Sequence, residues 1–271
     1  MMTLASLPAL LQSSRVYDLS QPLEPTIPVS PNHPGFRMAL LRRHGDSVRA
    51  DGVTAANEMI VLGGHTGTHI DALAHVGFQG QLHGGIDAAA AQTGGRFKQL
   101  GVETIAPMLC RGVLLDVAGA RGVDCLPPAA RITADDLREV AQRQGIDAPR
   151  PGDAVLVRSG WARHWGEPER YLGHDSGVPG PDVSAAEWLA ERKARVTGHD
   201  SMAYEWLAPG AGHSLLPAHK VLLVDAGVYI IENLNLEELA AAKVYEFLFI
   251  CVPLRFVGAT GCPVRPLAVV A

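Results

Sequence analysis

The sequence is poor in several things that would each have announced a class of protein. It has four cysteines in 271 residues, Cys110, Cys125, Cys251 and Cys262, and none forms a C-x-x-C pair. That spacing argues against a zinc knuckle or a disulfide framework, so the thiols read as reduced core or surface groups. No apolar run approaches the roughly 20 residues a helix needs to span a bilayer, so no membrane anchoring is expected. Positive charge is scattered: the net charge is −5, and the notable basic doublets are Arg42-Arg43 and Arg192-Lys193. A basic footprint for nucleic acid is therefore absent. The opening stretch "MMTLASLPALLQSSRVYDLS" has no basic region ahead of its leucines. It lacks the order of parts of a secretory signal, and a cytoplasmic location is the expectation. There is no internal repeat and no low-complexity tract.

What is present is an ordinary globular mix, 47% hydrophobic and 19% charged, on a chain long enough to bury a proper core. Glycine and proline are spread throughout and predict many turns between short elements. Strands are expected at 16–20, 37–43, 56–64, 112–118, 153–160 and 246–257. The runs "GVLLDVA" and "DAVLVRSG" are continuously apolar, as strands buried on both faces tend to be. Helices are expected from Thr133 to Gly145 and from Ser184 through "SAAEWLAERKA", each opened by a capping box with Asp136 or Glu187 as partner. Two more are expected at 215–223 and 235–244. Strands alternating with helices predict an α/β fold. "APRPGD" (148–153) reads as the way into a strand, so residues 1–271 are expected to form one domain.

The chemistry concentrates in "HTGTHIDALAH", residues 65–75. Residues two apart share a face on a strand, and residues four apart share one on a helix. A strand turning into a loop or helix here could aim His65, His69, Asp71 and His75 at one point, with Gly67 supplying an unusual backbone angle. One buried histidine is more often a hydrogen-bonded core residue than a ligand. Three with an aspartate in eleven positions are hard to explain by packing, because each buried polar group needs a partner. Imidazoles with a carboxylate are the usual equipment for Zn²⁺, Mn²⁺ or Fe²⁺, and such a set leaves a coordination position open for catalysis.

Farther along, His219 lies in "PAHKVLLVDAGVYIIENLNL", and Glu232 ends the apolar run "VYIIE". An acid ending a buried strand is costly unless something positive meets it, a metal ion or a salt bridge. The remaining histidines, His33, His44, His83, His164, His174, His199 and His213, mostly sit in polar stretches and are expected to be solvated. Phe78, Trp161, Trp165, Tyr204 and Trp206 are candidates to line an apolar pocket or to belong to the core. His199 and Asp200, in "VTGHDSMAYEW", follow a strand and are weaker candidates to orient a site.

"HTGTHIDALAH" resembles the H-x-G-T-H-x-D-x-x-x-H signature of the cyclase or kynurenine formamidase-like superfamily of metal-dependent hydrolases. The resemblance extends to "DLSQPLEP", "CRGVLLDV", "GDAVLVRSGW" and "HKVLL…AGVYIIENL", and so covers nearly the whole chain. That superfamily includes kynurenine formamidases, isatin hydrolases and a manganese-dependent dienelactone hydrolase. The resemblance implies a swivelling β/β/α fold in dimers or tetramers. It implies His65, His69 and Asp71 as ligands of a first metal, and Asp71 bridging to a second held with His219 and Glu232. His75 would be the general acid/base. The cofactor would be Zn²⁺ or Mn²⁺, one or two ions, and the substrate a small molecule: an N-formyl amide, a cyclic amide or a lactone. The competing readings are a non-haem iron oxygenase using a two-His-one-carboxylate triad, and a metal-containing binding protein without catalysis.

Overall fold

A computed structural model describes residues 12–270. Residues 1–11, which hold most of the stretch weighed as a leader, lie outside the described residues. The strands that matter here are β1 (Arg15–Asp18), β2 (Arg37–Arg42), β3 (Asn57–Val61), β4 (His69–Asp71), β5 (Met108–Asp116), β6 (Ala154–Arg158), β7 (Val196–His199), β8 (Tyr229–Glu232), β9 (Glu246–Cys251), β10 (Gly261–Pro263) and β11 (Leu267–Val270). Nine of them form one sheet in the order β1-β11-β9-β5-β6-β7-β8-β4-β10. The middle four, β5 to β8, run parallel. Antiparallel strands flank them on both sides, β9, β11 and β1 on one and β4 and β10 on the other. The fold is therefore α/β, as the alternation of elements predicts.

Parallel strands need long crossovers, and helices supply them. α1 (Ala134–Gln144) links β5 to β6, and α2 (Val183–Glu191) links β6 to β7. From β7 to β8 the chain passes through a helical turn, Pro217–His219, that continues as a π-helix, Lys220–Ala226. Alternate residues of the middle strands feed two cores. Val113, Leu115, Val155 and Val157 pack under Leu137, Val140, Trp188 and Leu222 of the helices. Leu114 and Leu156 face the other way, toward Ile70, Leu234, Leu239 and Phe249. Burial on both faces is what the continuous apolar runs require.

Several boundaries differ from the sequence reading, each for a local reason. α1 begins as expected, with the Thr133 hydroxyl accepting from the Asp136 N–H, the Asp136 carboxylate accepting in return, and Gly145 closing the helix in the left-handed region. α2 is not capped by Ser184. Asp182 is its N-cap and accepts from the Ala185 N–H, while Ser184 donates to Asp182 and accepts from the Ala134 N–H, tying the starts of the two helices together. The carboxylate two residues upstream wins the capping position. β5 stops at Asp116, whose side chain accepts from the Gly119 N–H and turns residues 117–120 into a helical turn. The expected strand at 246–257 ends at Cys251, two residues ahead of Pro253, which has no N–H to give a ladder. The helices expected at 215–223 and 235–244 are shorter or of different type, the second spanning Glu237–Ala241. The predicted strands at 37–43 and 56–64 do form, but as an isolated hairpin outside the main sheet. Among the described residues no helix is long and apolar enough to cross a membrane.

Candidate metal centre

β4 is three residues long, and its position in the sheet builds the site. It pairs antiparallel with β8, so that His69 lies opposite Glu232. β10 covers its other edge, with Gly261 opposite Asp71. His69 and Asp71, two apart on a strand, point to one side. Before β4 the chain makes a tight turn at Gly67, whose φ is 65°. A Cβ there would come within 2.2 Å of the Leu23 side chain, so the turn demands glycine twice over. This turn folds His65 back over the strand. His219 arrives from the far end of the chain on the helical turn Pro217–His219, after the crossover from β7.

The donor atoms converge. His65 Nδ1 is 2.7 Å from Asp71 Oδ1, and His69 Nε2 is 3.5 Å from the same oxygen. His69 Nε2 is 3.3 Å from Glu232 Oε2. His219 Nε2 lies 3.2 Å from Glu232 Oε1 and 3.7 Å from Asp71 Oδ2. Two groups suited to a metal ion result, His65–His69–Asp71 and Asp71–His219–Glu232, and Asp71 belongs to both. Its two oxygens divide between them: Oδ1 faces the first group and Oδ2 the second. Asp71 Oδ2 is buried with no hydrogen-bond partner. A buried carboxylate oxygen left bare is costly, and a cation between it and the neighbouring imidazoles is the partner its chemistry asks for. The residues present fit a divalent ion.

A second ring of groups orients the histidines. His69 Nδ1 donates to the Gly67 carbonyl at 2.8 Å, which turns Nε2 toward the carboxylates. His219 Nδ1 donates to Glu205 Oε1 at 2.7 Å, and the same carboxylate accepts from the backbone N–H groups of Ala218 and His219. His65 Nε2 shares a hydrogen bond with the Thr260 hydroxyl at 2.9 Å. Asn233 donates to the Gly67 carbonyl, accepts from the Tyr171 hydroxyl, and takes the Thr68 hydroxyl on its own carbonyl, so it clamps the end of β8 to the cluster turn. Carboxylate and carbonyl partners on the remote ring nitrogen are the usual way a metal-binding imidazole is held.

The charges match this arrangement. Burial works against protonating His69, but hydrogen bonds to Asp71 and Glu232 outweigh it and raise its pKa to about 10. The same balance, with Glu205 and Glu232 as partners, raises His219 to about 10. Burial opposes ionisation of Glu232, yet His219 and His69 pull its pKa down to about 2. Asp71 is likewise held well below the usual carboxylate range, its burial overcome by the surrounding histidines. The pair of ionised carboxylates attracts positive charge, as protons on imidazoles or as a metal ion that displaces them. His75 behaves oppositely: burial pushes its pKa down to about 4 and keeps the ring neutral. Its ring stacks on His65 with centroids 3.9 Å apart, and His219 is 6.4 Å away.

A cavity of about 200 Å³ opens over the cluster, lined by His65, His69, His75, His219 and Glu232 on its floor. Its walls come from Pro28 to His33, from Met202, His213 and Leu216, and from Asn233. Several of these were not expected. His33 stacks on His65 at 5.1 Å between centroids, and His213 shares a hydrogen bond with the Ser30 hydroxyl across the mouth. His199 is fully buried, its Nδ1 bonded with the Ser201 hydroxyl, and His164 is buried against Trp161. The expectation that these side chains are solvated therefore fails for His33, His164, His199 and His213: His199 ends β7 inside the sheet, and the other three are covered where their segments fold back against neighbouring side chains. Asp200 supports the backbone at Ser159 and Gly160 and is not in the cavity wall. None of Phe78, Trp161, Trp165, Tyr204 and Trp206 lines the cavity. Trp161 belongs to a small separate core, and Trp206 lies under Arg131. Glu205 and Asn233 gave no signal in the sequence beyond their chain neighbours.

This α/β chain with its His-His-Asp turn facing a His and a Glu can be compared with known proteins. The profile of the family described as Putative cyclase matches residues 17–206, and the chain belongs to that family. The crystal structure of a novel cyclase superposes with a TM-score of 0.85 at 28% identity, covering 98% of this chain and 93% of that one. The isatin hydrolase of Roseibium aggregatum is 28% identical over 226 residues, 82% of this chain and 77% of the relative. The kynurenine formamidase of Sphingopyxis alaskensis is 27% identical over 254 residues, 94% of this chain and 97% of the relative.

Proposed function

We propose that this protein is a metal-dependent hydrolase that cleaves a small amide, cyclic amide or lactone. The observation that carries the reading is Asp71, which stands at the centre of two convergent ligand groups with its Oδ2 buried and unpartnered. The names of two relatives, isatin hydrolase and kynurenine formamidase, support hydrolysis of a carbonyl compound of this kind. His65, His69, Asp71, His219 and Glu232 would hold Zn²⁺ or Mn²⁺, as one ion or as two sharing Asp71. When bound, a divalent ion supplies Lewis acidity, polarising a carbonyl and bringing water toward hydroxide at neutral pH.

The rest of the work falls to this chain's side chains. His75 is neutral, lines the cavity and is stacked beside the ligand His65. A neutral imidazole there takes a proton from the attacking water and returns it to the departing nitrogen or oxygen. The cavity of about 200 Å³ suits a small substrate, and its Met202, Leu216 and Val29 walls suit one with an apolar face. A small-molecule substrate is thus part of the proposal.

Metal analysis paired with a hydrolysis screen of N-formyl aromatics, isatins and lactones tests it. His69→Ala is expected to remove metal and activity together. His75→Ala is expected to keep the metal and lower kcat by roughly 10²- to 10⁴-fold, the usual worth of a general base. Loss of metal on His75→Ala would assign that ring as a ligand. Metal-loaded protein inert toward all three substrate classes would remove the hydrolase reading.

A further inference from the structure

Tyr171 is fully buried on the short helix Pro168–Leu172, and the chemistry described so far does not use it. Around it lies a small core of Trp161, Val178, Ala203 and Leu207, apart from the two cores of the sheet. The Trp161 indole N–H donates to the Tyr171 carbonyl at 2.8 Å, and the Trp165 ring stands at right angles to the Tyr171 ring, 5.2 Å between centroids. These contacts fix the ring and aim its hydroxyl at Asn233, the residue after Glu232, where it donates to Oδ1 at 2.9 Å. The Asp200 carbonyl, at 3.4 Å, is the poorer acceptor. Burial and the carboxylates of Asp200 and Glu232 push the phenol well above its usual pKa, so the hydroxyl keeps its proton.

The polarity of the bonds that follow is forced. A carbonyl oxygen can only accept. The Gly67 carbonyl takes the Nδ1–H of His69 at 2.8 Å and an Nδ2–H of Asn233 at 2.9 Å, which uses both its lone pairs. Asn233 must therefore turn its nitrogen to Gly67 and its oxygen to Tyr171. Its backbone is equally committed: its N–H donates to the Ser201 carbonyl, and its carbonyl accepts from the Thr68 hydroxyl. Asn233 holds this place with φ at 57°, in the left-handed region that asparagine tolerates better than most residues. It is buried, and it lines the metal cavity. Without the Tyr171 hydroxyl its Oδ1 is a buried acceptor with nothing to accept, and the amide is free to swing toward the cavity. That swing takes the second donor from the Gly67 carbonyl.

We propose that Tyr171 is a positioning residue for the metal centre: through Asn233 it pins the Gly67 carbonyl, and that carbonyl holds the His69 ring with Nε2 toward Asp71 and Glu232. The proposal rests on the reading of the cluster as a metal site and is independent of which substrate is hydrolysed. Tyr171 belongs neither to the ligand groups nor to the cavity wall, so its effect on metal binding travels through Asn233.

Chelator competition for Zn²⁺ on the full chain, with Y171F, N233G and the double variant, tests it. Glycine keeps the left-handed backbone at position 233 and removes only the side chain. Y171F is expected to weaken Zn²⁺ binding by about 10-fold or more, the usual cost of losing an outer partner of a metal-binding imidazole. N233G is expected to weaken it at least as much. Adding Y171F to N233G is expected to change affinity by less than about 2-fold, since the hydroxyl then has nothing to act through. The visible absorption of the Co²⁺-loaded protein is expected to shift in both single variants. V178A trims the same small core without touching these bonds; it is expected to lower the melting temperature and to leave Zn²⁺ affinity and the Co²⁺ spectrum as in wild type. A folded Y171F protein that binds Zn²⁺ like wild type overturns the proposal. So does an equal loss from Y171F in both backgrounds, or a V178A protein whose affinity falls as far as that of Y171F. N233G keeps the test open should Y171F fail to fold, because wild-type affinity without the tyrosine's acceptor also overturns it. A wild type that binds neither Zn²⁺ nor Co²⁺ removes the metal reading itself, and the proposal with it.

Discussion

At the scale of the residue, Glu205 shows how a site depends on groups that never touch its ligand. It takes the Nδ1–H of His219 and two backbone N–H groups, and it is buried. Glu205→Gln keeps the shape but removes the charge that holds the ring's tautomer. The expected result is metal affinity weakened by roughly 10- to 100-fold, read by competition with a chelator. pH gives a second check. In metal-free protein His69 and His219 have pKa values raised from 6.5 to about 10. Their protonated forms stabilise the folded state fully below pH 6.5, and that contribution is lost as pH rises through 10. The melting temperature of the metal-free protein is therefore expected to fall between those limits. Metal binding at pH 7 should release protons from both rings, seen by calorimetry as a heat that varies with the buffer. Loss of stability on acidification from pH 10 to 6.5 would contradict the assignment. His65, His69, Asp71 and His75 were legible because the motif places them within eleven positions. Glu205 was not, because nothing in "VTGHDSMAYEW" shows that its carboxylate reaches a helical turn twelve residues on.

At the scale of the element, short segments are decided by one or two backbone positions. Gly67→Ala forces a left-handed residue and a Cβ onto Leu23. It is expected to cost metal affinity more than overall stability, because the turn positions His65 and its carbonyl accepts from the His69 Nδ1–H. Chelator competition and thermal melting on the same variant separate the two. The N-cap of α2 can be checked directly. Asp182→Ala is expected to destabilise the fold by about 1 kcal/mol, the worth of an N-cap, measured by urea denaturation. The sequence pattern pointed to Ser184, since S-x-x-E is a capping signature and Asp182 stood outside it. The middle strands were legible for the opposite reason: a strand buried on both faces has to be apolar throughout, and few other elements look like that. β4 and β10 are three residues each, too short for any periodicity to show.

At the scale of the whole molecule, the sheet takes strands from Arg15 to Val270, and arginines tie its strands together, Arg111 of β5 to Glu246 of β9 and to Asp153 among them. Arg158 is the most deeply buried of these, ending β6 with bonds to Asp116 of β5, to Glu237 and to the Asp124 carbonyl. Arg158→Ala leaves two carboxylates facing each other and is expected to cost about 3–5 kcal/mol. On a chain this size that lowers the melting temperature by roughly 10 °C. With strands from both ends in one sheet, wild type and variant are each expected to melt in a single transition by calorimetry. Two separate transitions would show that the chain is more than one domain. By itself the sequence determined the α/β alternation, the buried parallel strands and the candidate metal-ligating side chains of the His65–His75 cluster, because these follow from local periodicity and from residue types a core rarely tolerates without partners. Only the tertiary structure decided that β4 pairs with β8, which sets Glu232 beside His69, and that polar loops fold back to put His33 and His213 at the cavity. The strand pairing and the Ser30–His213 contact join segments more than 150 residues apart, fixed by sheet order and packing, and no local pattern encodes them.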